Sequence, residues 1–134
     1  MSNKILTVSV AAYNVEKYIR QNIESMIIPE AMDLLEVFIV DDGGTDKTVE
    51  IAKKYEEKYP NTFHVVQKEN GGYGTTVNYS IAHATGKYFK LLDGDDWFDT
   101  NNFKYLLESL KTCDADVVFT QFACGPDEKN LKII

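Results

Sequence analysis

Two short acidic runs carry the chemistry that this sequence offers. Asp41-Asp42-Gly43-Gly44 and Asp93-Gly94-Asp95-Asp96 together hold five carboxylates, and each run directly follows an apolar, β-rich segment. Carboxylates crowded at one place repel one another unless something positive sits among them. A hard divalent cation, Mg²⁺ or Mn²⁺, prefers oxygen ligands and keeps positions open for phosphate oxygens. Gly94 lets the backbone turn tightly, and in extended chain residues 93 and 95 point to the same side, so both can address one metal-diphosphate unit. Taken singly the motifs are weak. Asp-Asp-Gly-Gly equally suits a strand-to-helix turn, and Asn70-Gly-Gly-Tyr-Gly74 lacks the spacing of a phosphate-binding P-loop. The apolar Leu91-Leu92 before the second run and Trp97-Phe98 after it make that run less ordinary. Tyr13 lies just beyond another apolar run, a place that suits stacking on a flat base as well as packing.

The elements that must position these residues alternate between strand and helix. Residues 5–11 form an apolar strand. Over residues 15–27 the period switches, placing Val15, Tyr18, Ile19, Ile23, Met26 and Ile27 on one helical face until Pro29 stops the helix. A strand over residues 35–40 ends in Asp41-Asp42. Thr45 or Asp46 caps a helix whose inner face is Val49, Ala52, Tyr55 and Tyr59. A short strand over 63–67, the glycine loop, a helix carrying Val77, Ile81 and Ala84, and Gly86 as its stop come next. A strand over 88–92 ends in the second acidic run. A helix marked by Phe103, Leu106, Leu107 and Leu110 then leads to a strand over 117–122. Strands joined by helices of this length imply right-handed crossovers and a mainly parallel, doubly wound α/β sheet flanked by helices, of Rossmann-like type. Open sheets of this kind bind ligands beyond the carboxyl ends of their strands. The ends at Ala12-Tyr13-Asn14, Asp41-Asp42 and Asp93 to Asp96 should therefore meet at one edge.

Composition narrows the partners. The 134 residues suffice for one domain, and a 44% hydrophobic, 12% aromatic make-up is that of a globular chain. No apolar run approaches membrane-spanning length and the start is too short and strand-like for a signal peptide, which places the chain in the cytoplasm. A formal charge of −7 argues against nucleic acid. A phosphorylated ligand remains compatible, because one metal ion or helix N-terminus reverses the potential locally. Cys113 and Cys124 lack metal-ligand spacing and read as reduced, partly buried thiols. His64, in a strand, and His83, on a helix away from the acidic edge, read as non-catalytic.

Five segments in order, Val10-Ala-Ala-Tyr-Asn14, Val40-Asp-Asp-Gly-Gly-Thr-Asp46, Asn70-Gly-Gly72, Ala84-Thr-Gly-Lys-Tyr88 and Leu92-Asp-Gly-Asp-Asp96, resemble the signature of family 2 glycosyltransferases of the GT-A fold. The resemblance covers residues 5 to about 100. It implies a nucleoside-diphosphate-sugar donor, commonly a UDP-sugar, with Mg²⁺ or Mn²⁺, and a saccharide or lipid-linked acceptor of the kind met in polysaccharide biosynthesis. Carried over position by position, Ala11 and Tyr13 line the base pocket and Asp42 accepts a hydrogen bond from the base. Asp93 and Asp95 form the Asp-x-Asp motif at the ribose and the metal-bound diphosphate, with Asp96 adjoining it. The sequence departs from the family at Ala12, where Pro is usual, and at Gly44, where Ser is usual. Val77 stands where an Arg commonly helps to hold the nucleotide. That leaves Lys68 and Lys90 as nearby cations, both read as surface residues.

Family members continue well past residue 123 and place the acceptor site and the carboxylate general base there. The resemblance thus implies that residues 1–134 are the donor-binding half of a longer, inverting enzyme, with no catalytic base of their own. Contact with the inner face of a membrane would fall to the C-terminal remainder, and Leu131-Lys-Ile-Ile134 looks like the opening of another strand. Two rivals stand beside this reading. A sugar-nucleotide nucleotidyltransferase would show a basic glycine-rich loop after the first strand, where this chain has Ala-Ala-Tyr-Asn. A non-catalytic interaction module on the same fold would keep the acidic edge without nucleotide binding.

Overall fold

The structure, a computed structural model, describes residues 3–125 and 132–133. Four parallel strands, β1 (Leu6–Ala12), β2 (Leu35–Asp42), β3 (Phe63–Lys68) and β4 (Tyr88–Asp93), form a sheet in the order β3-β2-β1-β4. Helices α1 (Ile19–Glu24), α2 (Thr48–Lys58), α3 (Tyr73–His83) and α4 (Thr100–Leu110) flank it, and a 3-10 turn spans Pro29–Leu34. Two short antiparallel strands, β5 (Ala123–Cys124) and β6 (Lys132–Ile133), pair apart from the sheet. The doubly wound α/β fold expected from the alternating pattern is the one observed. Among the described residues no helix is long and apolar enough to cross a membrane.

The two faces of the sheet differ because side chains alternate along a strand. Leu6, Val8, Val10 and Ala12 join Leu35, Val37 and Ile39 in one apolar core with Ile19 and Ile23 of α1, Met26 just after it, Ala52 and Tyr55 of α2, and Phe103, Leu107 and Leu110 of α4. The other face mixes polar side chains with Phe38 and Val40 and takes α3. There Ser9 Oγ donates to Ser80 Oγ at 2.6 Å. Buried Glu36 accepts from Thr7 Oγ1 at 2.8 Å and from the Thr85 amide and hydroxyl at 2.8 and 2.7 Å. Burial opposes the charge on Glu36, and the hydrogen bonds from Thr85 and Thr7 outweigh it and hold the carboxyl below its usual range.

Several expectations need correction. The first helix covers only Ile19–Glu24, because residues 15–18 form a separate turn closed by Val15 O; Ile19, Ile23 and Met26 are buried as the period requires. Pro29 opens the 3-10 turn, where its missing N–H costs nothing. Helix α3 buries Thr76 and Ser80, the latter against Ser9 of the sheet, and leaves Ile81 exposed. Gly86 does not stop α3, which ends at His83; it permits close approach to β1, where a Cβ would stand 2.6 Å from Thr7 N. The segment 117–122 is not a strand. It is tied near β4 by side chains, Lys90 Nζ reaching Thr120 Oγ1 at 3.3 Å, without a backbone ladder, and Phe119 and Phe122 stay exposed. Both cysteines are unpaired, Cys113 partly buried and Cys124 exposed. Of the closing residues Leu131 to Ile134, β6 includes Lys132 and Ile133, and the other two lie outside the described residues.

Candidate functional site

The strand order reverses at β1: β2 lies on one side of it and β4 on the other. Register places Ala11 beside both Val40 and Asp93. The carboxyl ends of β1, β2 and β4 therefore share one edge, and the crevice of a doubly wound sheet opens at such a reversal.

At the β2 end, Asp41 and Asp42 point to opposite faces, as neighbours in a strand must. Both are buried. Asp42 holds the glycine loop: Oδ1 accepts from Lys68 Nζ at 2.7 Å and Gly71 N at 2.9 Å, and Oδ2 accepts from Gly72 N at 2.9 Å. Its backbone oxygen accepts from Asn70 Nδ2 at 2.9 Å. The Lys68 hydrogen bond, then that of Gly71, hold the Asp42 carboxyl below its ordinary range. An ionised carboxylate offers about four acceptor sites, so these three bonds leave room for one further donor on Oδ2. Gly43 has φ +77° and faces Asn70 so closely that a Cβ would come within 2.8 Å of its backbone nitrogen, so glycine is required there.

Asp41 is different. Oδ2 accepts from Gly44 N at 3.2 Å, and Oδ1 is buried without a partner among the described residues. Burial, and then the charges of Asp46 and Asp42, push its carboxyl upward. Gly44 is accounted for by the same crowding: a Cβ would stand 2.6 Å from Asp41 Oδ1. Asn14, at φ +51°, ties the β1 end to this turn, its Oδ1 accepting from Thr45 N at 2.8 Å. Asp46, rather than Thr45, satisfies the start of α2 by accepting from Thr48 N at 2.9 Å.

At the β4 end, Asp93, Asp95 and Asp96 are exposed, and one carboxylate oxygen of each lies within 4.8 Å of the others. None of them joins an ion pair among the described residues. Partial burial, then the charges of Asp95 and Asp93, raise the Asp96 carboxyl. Three hard oxygen donors at this spacing, crowded enough to perturb one another, fit a divalent cation. Gly94 is buried, its amide donates to Ala11 O at 2.9 Å, and a Cβ would approach that oxygen to 2.7 Å. The middle residue of the Asp-x-Asp run must therefore be glycine.

The two ends communicate through α3. Tyr73, next to the loop that Asp42 holds, lies against Asp93; loss of water contact, then the Asp93 charge and a hydrogen bond to it, raise the phenol. Tyr13 is half exposed at the same edge, and Ala11 is partly buried. Val77 is partly buried on α3. Lys68 is no plain surface residue: besides Asp42 it donates to Thr75 Oγ1 and Glu69 O, each at 2.7 Å. Lys90 points elsewhere, toward Thr120 and the Phe98 ring. His83 stacks on Tyr79 with ring centroids 4.1 Å apart and His64 lies against Phe38. Sequence reasoning passed over Tyr73 and Asn22. The latter carried a signal, a polar residue between Ile19 and Ile23 on the buried face of α1.

Residues 7–133 match the family model for glycosyl transferase family 2. The chain belongs to that family. It is 35% identical over 125 residues to the putative glycosyltransferase EpsH of Bacillus subtilis (strain 168), covering 92% of this chain and 35% of that protein. It is also 35% identical over 116 residues to the uncharacterized glycosyltransferase YibD of Escherichia coli K12, covering 87% of this chain and 33% of YibD. Among solved structures, S. aureus TarS 1-349 in complex with UDP-GlcNAc superimposes with a TM-score of 0.68 at 32% identity, over 80% of this chain and 31% of that one. The mannosyltransferase PcManGT of Pyrobaculum calidifontis, in complex with GDP-Man and Mn²⁺, gives 0.60 at 27% identity, over 76% and 31%. The chain thus spans about a third of the length of EpsH and of YibD. Membership in the family sets aside the nucleotidyltransferase reading.

Proposed function

We propose that residues 1–134 form the donor-binding part of a glycosyltransferase that uses a nucleoside-diphosphate sugar, a UDP-sugar in the first instance. One observation carries this reading. A glycine loop pinned by a buried aspartate and an open trio of carboxylates stand on either side of the β1 end, at the reversal in strand order. Ala11 and Tyr13 line the base pocket, with the Tyr13 ring free to stack. Asp42 uses its remaining acceptor site for an N–H of the base. Lys68 supplies positive charge near the nucleotide, in the part that Val77 cannot play.

Asp93 addresses the ribose and, with Asp95 and Asp96, would hold Mg²⁺ or Mn²⁺ beside the diphosphate. Such a cation, when bound, neutralises charge building on the leaving nucleoside diphosphate. Transfer to an acceptor hydroxyl, saccharide or lipid-linked, proceeds with inversion and takes its general base from outside this chain. The setting is the cytoplasm, with polysaccharide assembly as the process and with any membrane contact belonging to other parts of the protein.

Calorimetry with UDP and Mn²⁺ tests the reading. Metal-dependent binding is expected, with little or no sugar transfer. Equal binding by an Asp93→Ala, Asp95→Ala double variant would remove the metal assignment. Absence of all nucleotide binding would favour a non-catalytic module on this fold.

A further inference from the structure

Helix α1 buries positions 19, 22 and 23, and Met26 just beyond it is buried too; of these four, three are apolar. The fourth is Asn22, fully buried. A buried amide costs stability unless its polar atoms are bonded. Its Nδ2 donates to Asp93 O at 3.1 Å and to Asp96 O at 2.8 Å, and its Oδ1 has no partner among the described residues. The assignment of nitrogen and oxygen follows from the two carbonyls, which only accept. An apolar side chain would avoid the unmade bond, so the packing of α1 does not account for Asn22. The turn does. Asp96 N donates to Asp93 O at 3.0 Å, closing a four-residue turn with Gly94 and Asp95 at its centre. Asn22 grips the first and last carbonyls of that turn from below. Ser25, one helical turn on, continues the hold: its Oγ accepts from Phe98 N at 3.1 Å, and its backbone oxygen accepts from Thr100 Oγ1 at 3.0 Å.

We infer that Asn22 is the positioning residue of the acidic turn: by fixing the backbone of residues 93 and 96 from within the core, it holds three mutually repelling carboxylates at cation-binding spacing. It touches no ligand itself. Residues that orient metal ligands from behind typically change affinity about 10- to 100-fold when lost. The inference rests on the metal reading above.

The test uses the 134-residue chain. Calorimetry measures UDP affinity with and without Mn²⁺ for wild type, Asn22→Ala and Ser80→Ala. The last removes a buried hydrogen bond on the opposite face, to Ser9. Asn22→Ala should weaken the Mn²⁺-dependent affinity by roughly tenfold and leave the metal-free affinity within about twofold, whereas Ser80→Ala should change neither. In the wild-type chain the Asn22 side-chain amide protons should exchange slowly with solvent by NMR, a measurement that holds even if Asn22→Ala fails to fold. Equal Mn²⁺-dependent affinity in wild type and Asn22→Ala overturns the inference while leaving the metal site standing. So does an equal loss in Ser80→Ala, or fast exchange of the Asn22 amide. A wild-type chain with no metal-dependent binding overturns this inference together with the reading beneath it.

Discussion

Asp42 and Asp95 are the same residue type, each at the carboxyl end of a parallel strand, and they have opposite surroundings. Asp42 is buried, its carboxylate shared among a lysine and two backbone amides. Asp95 is exposed and lies within a trio whose members repel one another. The first is largely spent on building the loop and keeps one acceptor position, and the second keeps its acceptor positions open. Carboxylate count alone does not reveal a metal centre; what separates the two ends is how much of each carboxylate the protein has already satisfied.

The largest effect should come from breaking the satisfied end. Asp42→Ala orphans the amides of Gly71 and Gly72 and strips Lys68 of its counter-charge. The melting temperature should fall by on the order of 10 °C, read by thermal unfolding. Asp95→Asn, at the open end, should cost about tenfold or more in Mn²⁺-dependent UDP affinity by calorimetry. Its change in folding stability should stay within about 0.5 kcal/mol in urea titrations. A large destabilisation from Asp95→Asn, or none from Asp42→Ala, breaks the comparison.

A smaller effect sharpens it within the β2 end. Asp42 is held below the ordinary carboxylate range, so its contribution to stability is complete above the unfolded value of about 3.9 and is lost as pH falls through the folded one. Asp41 is pushed upward, so the folded state holds its proton more tightly than the unfolded chain does. Stability from that source is present at low pH and declines as pH rises from about 3.9 through the folded value. Asp41→Asn, which cannot ionise, should therefore gain stability relative to wild type at pH 7 compared with pH 4, measured by urea unfolding at both. The smallest expected change belongs to Tyr73→Phe, which removes the hydroxyl that the Asp93 charge acts on. Mn²⁺-dependent affinity should shift by less than about threefold, within what one exposed hydrogen bond contributes.

Much of this was legible in the residues. Alternating apolar periods gave the strand and helix order, and the parallel sheet followed from the crossover lengths, so the edge where the acidic runs meet could be located. What the residues did not disclose depended on contacts far apart in sequence. The use of Lys68 depends on Asp42, 26 positions away. Asn22 reads as a lapse in an apolar stripe until Asp93 O and Asp96 O are seen above it. Segment 117–122 has strand composition, but pairing depends on a neighbouring ladder that composition does not supply. Gly86 reads as a helix stop, and its reason lies in Thr7, on another strand.

The amide of Gly94 rests against the carbonyl of Ala11, and the missing methyl there sets how near the acidic turn sits to the carboxyl end of β1. In a saturation library across residues 93–96 selected only for folding, the three exposed positions should drift freely in charge and size while 94 returns glycine. Selection for nucleotide binding should then narrow the other three. On the proposed reading, the spacing between base and diphosphate is written in the backbone, and only its electrostatic lettering is open to revision.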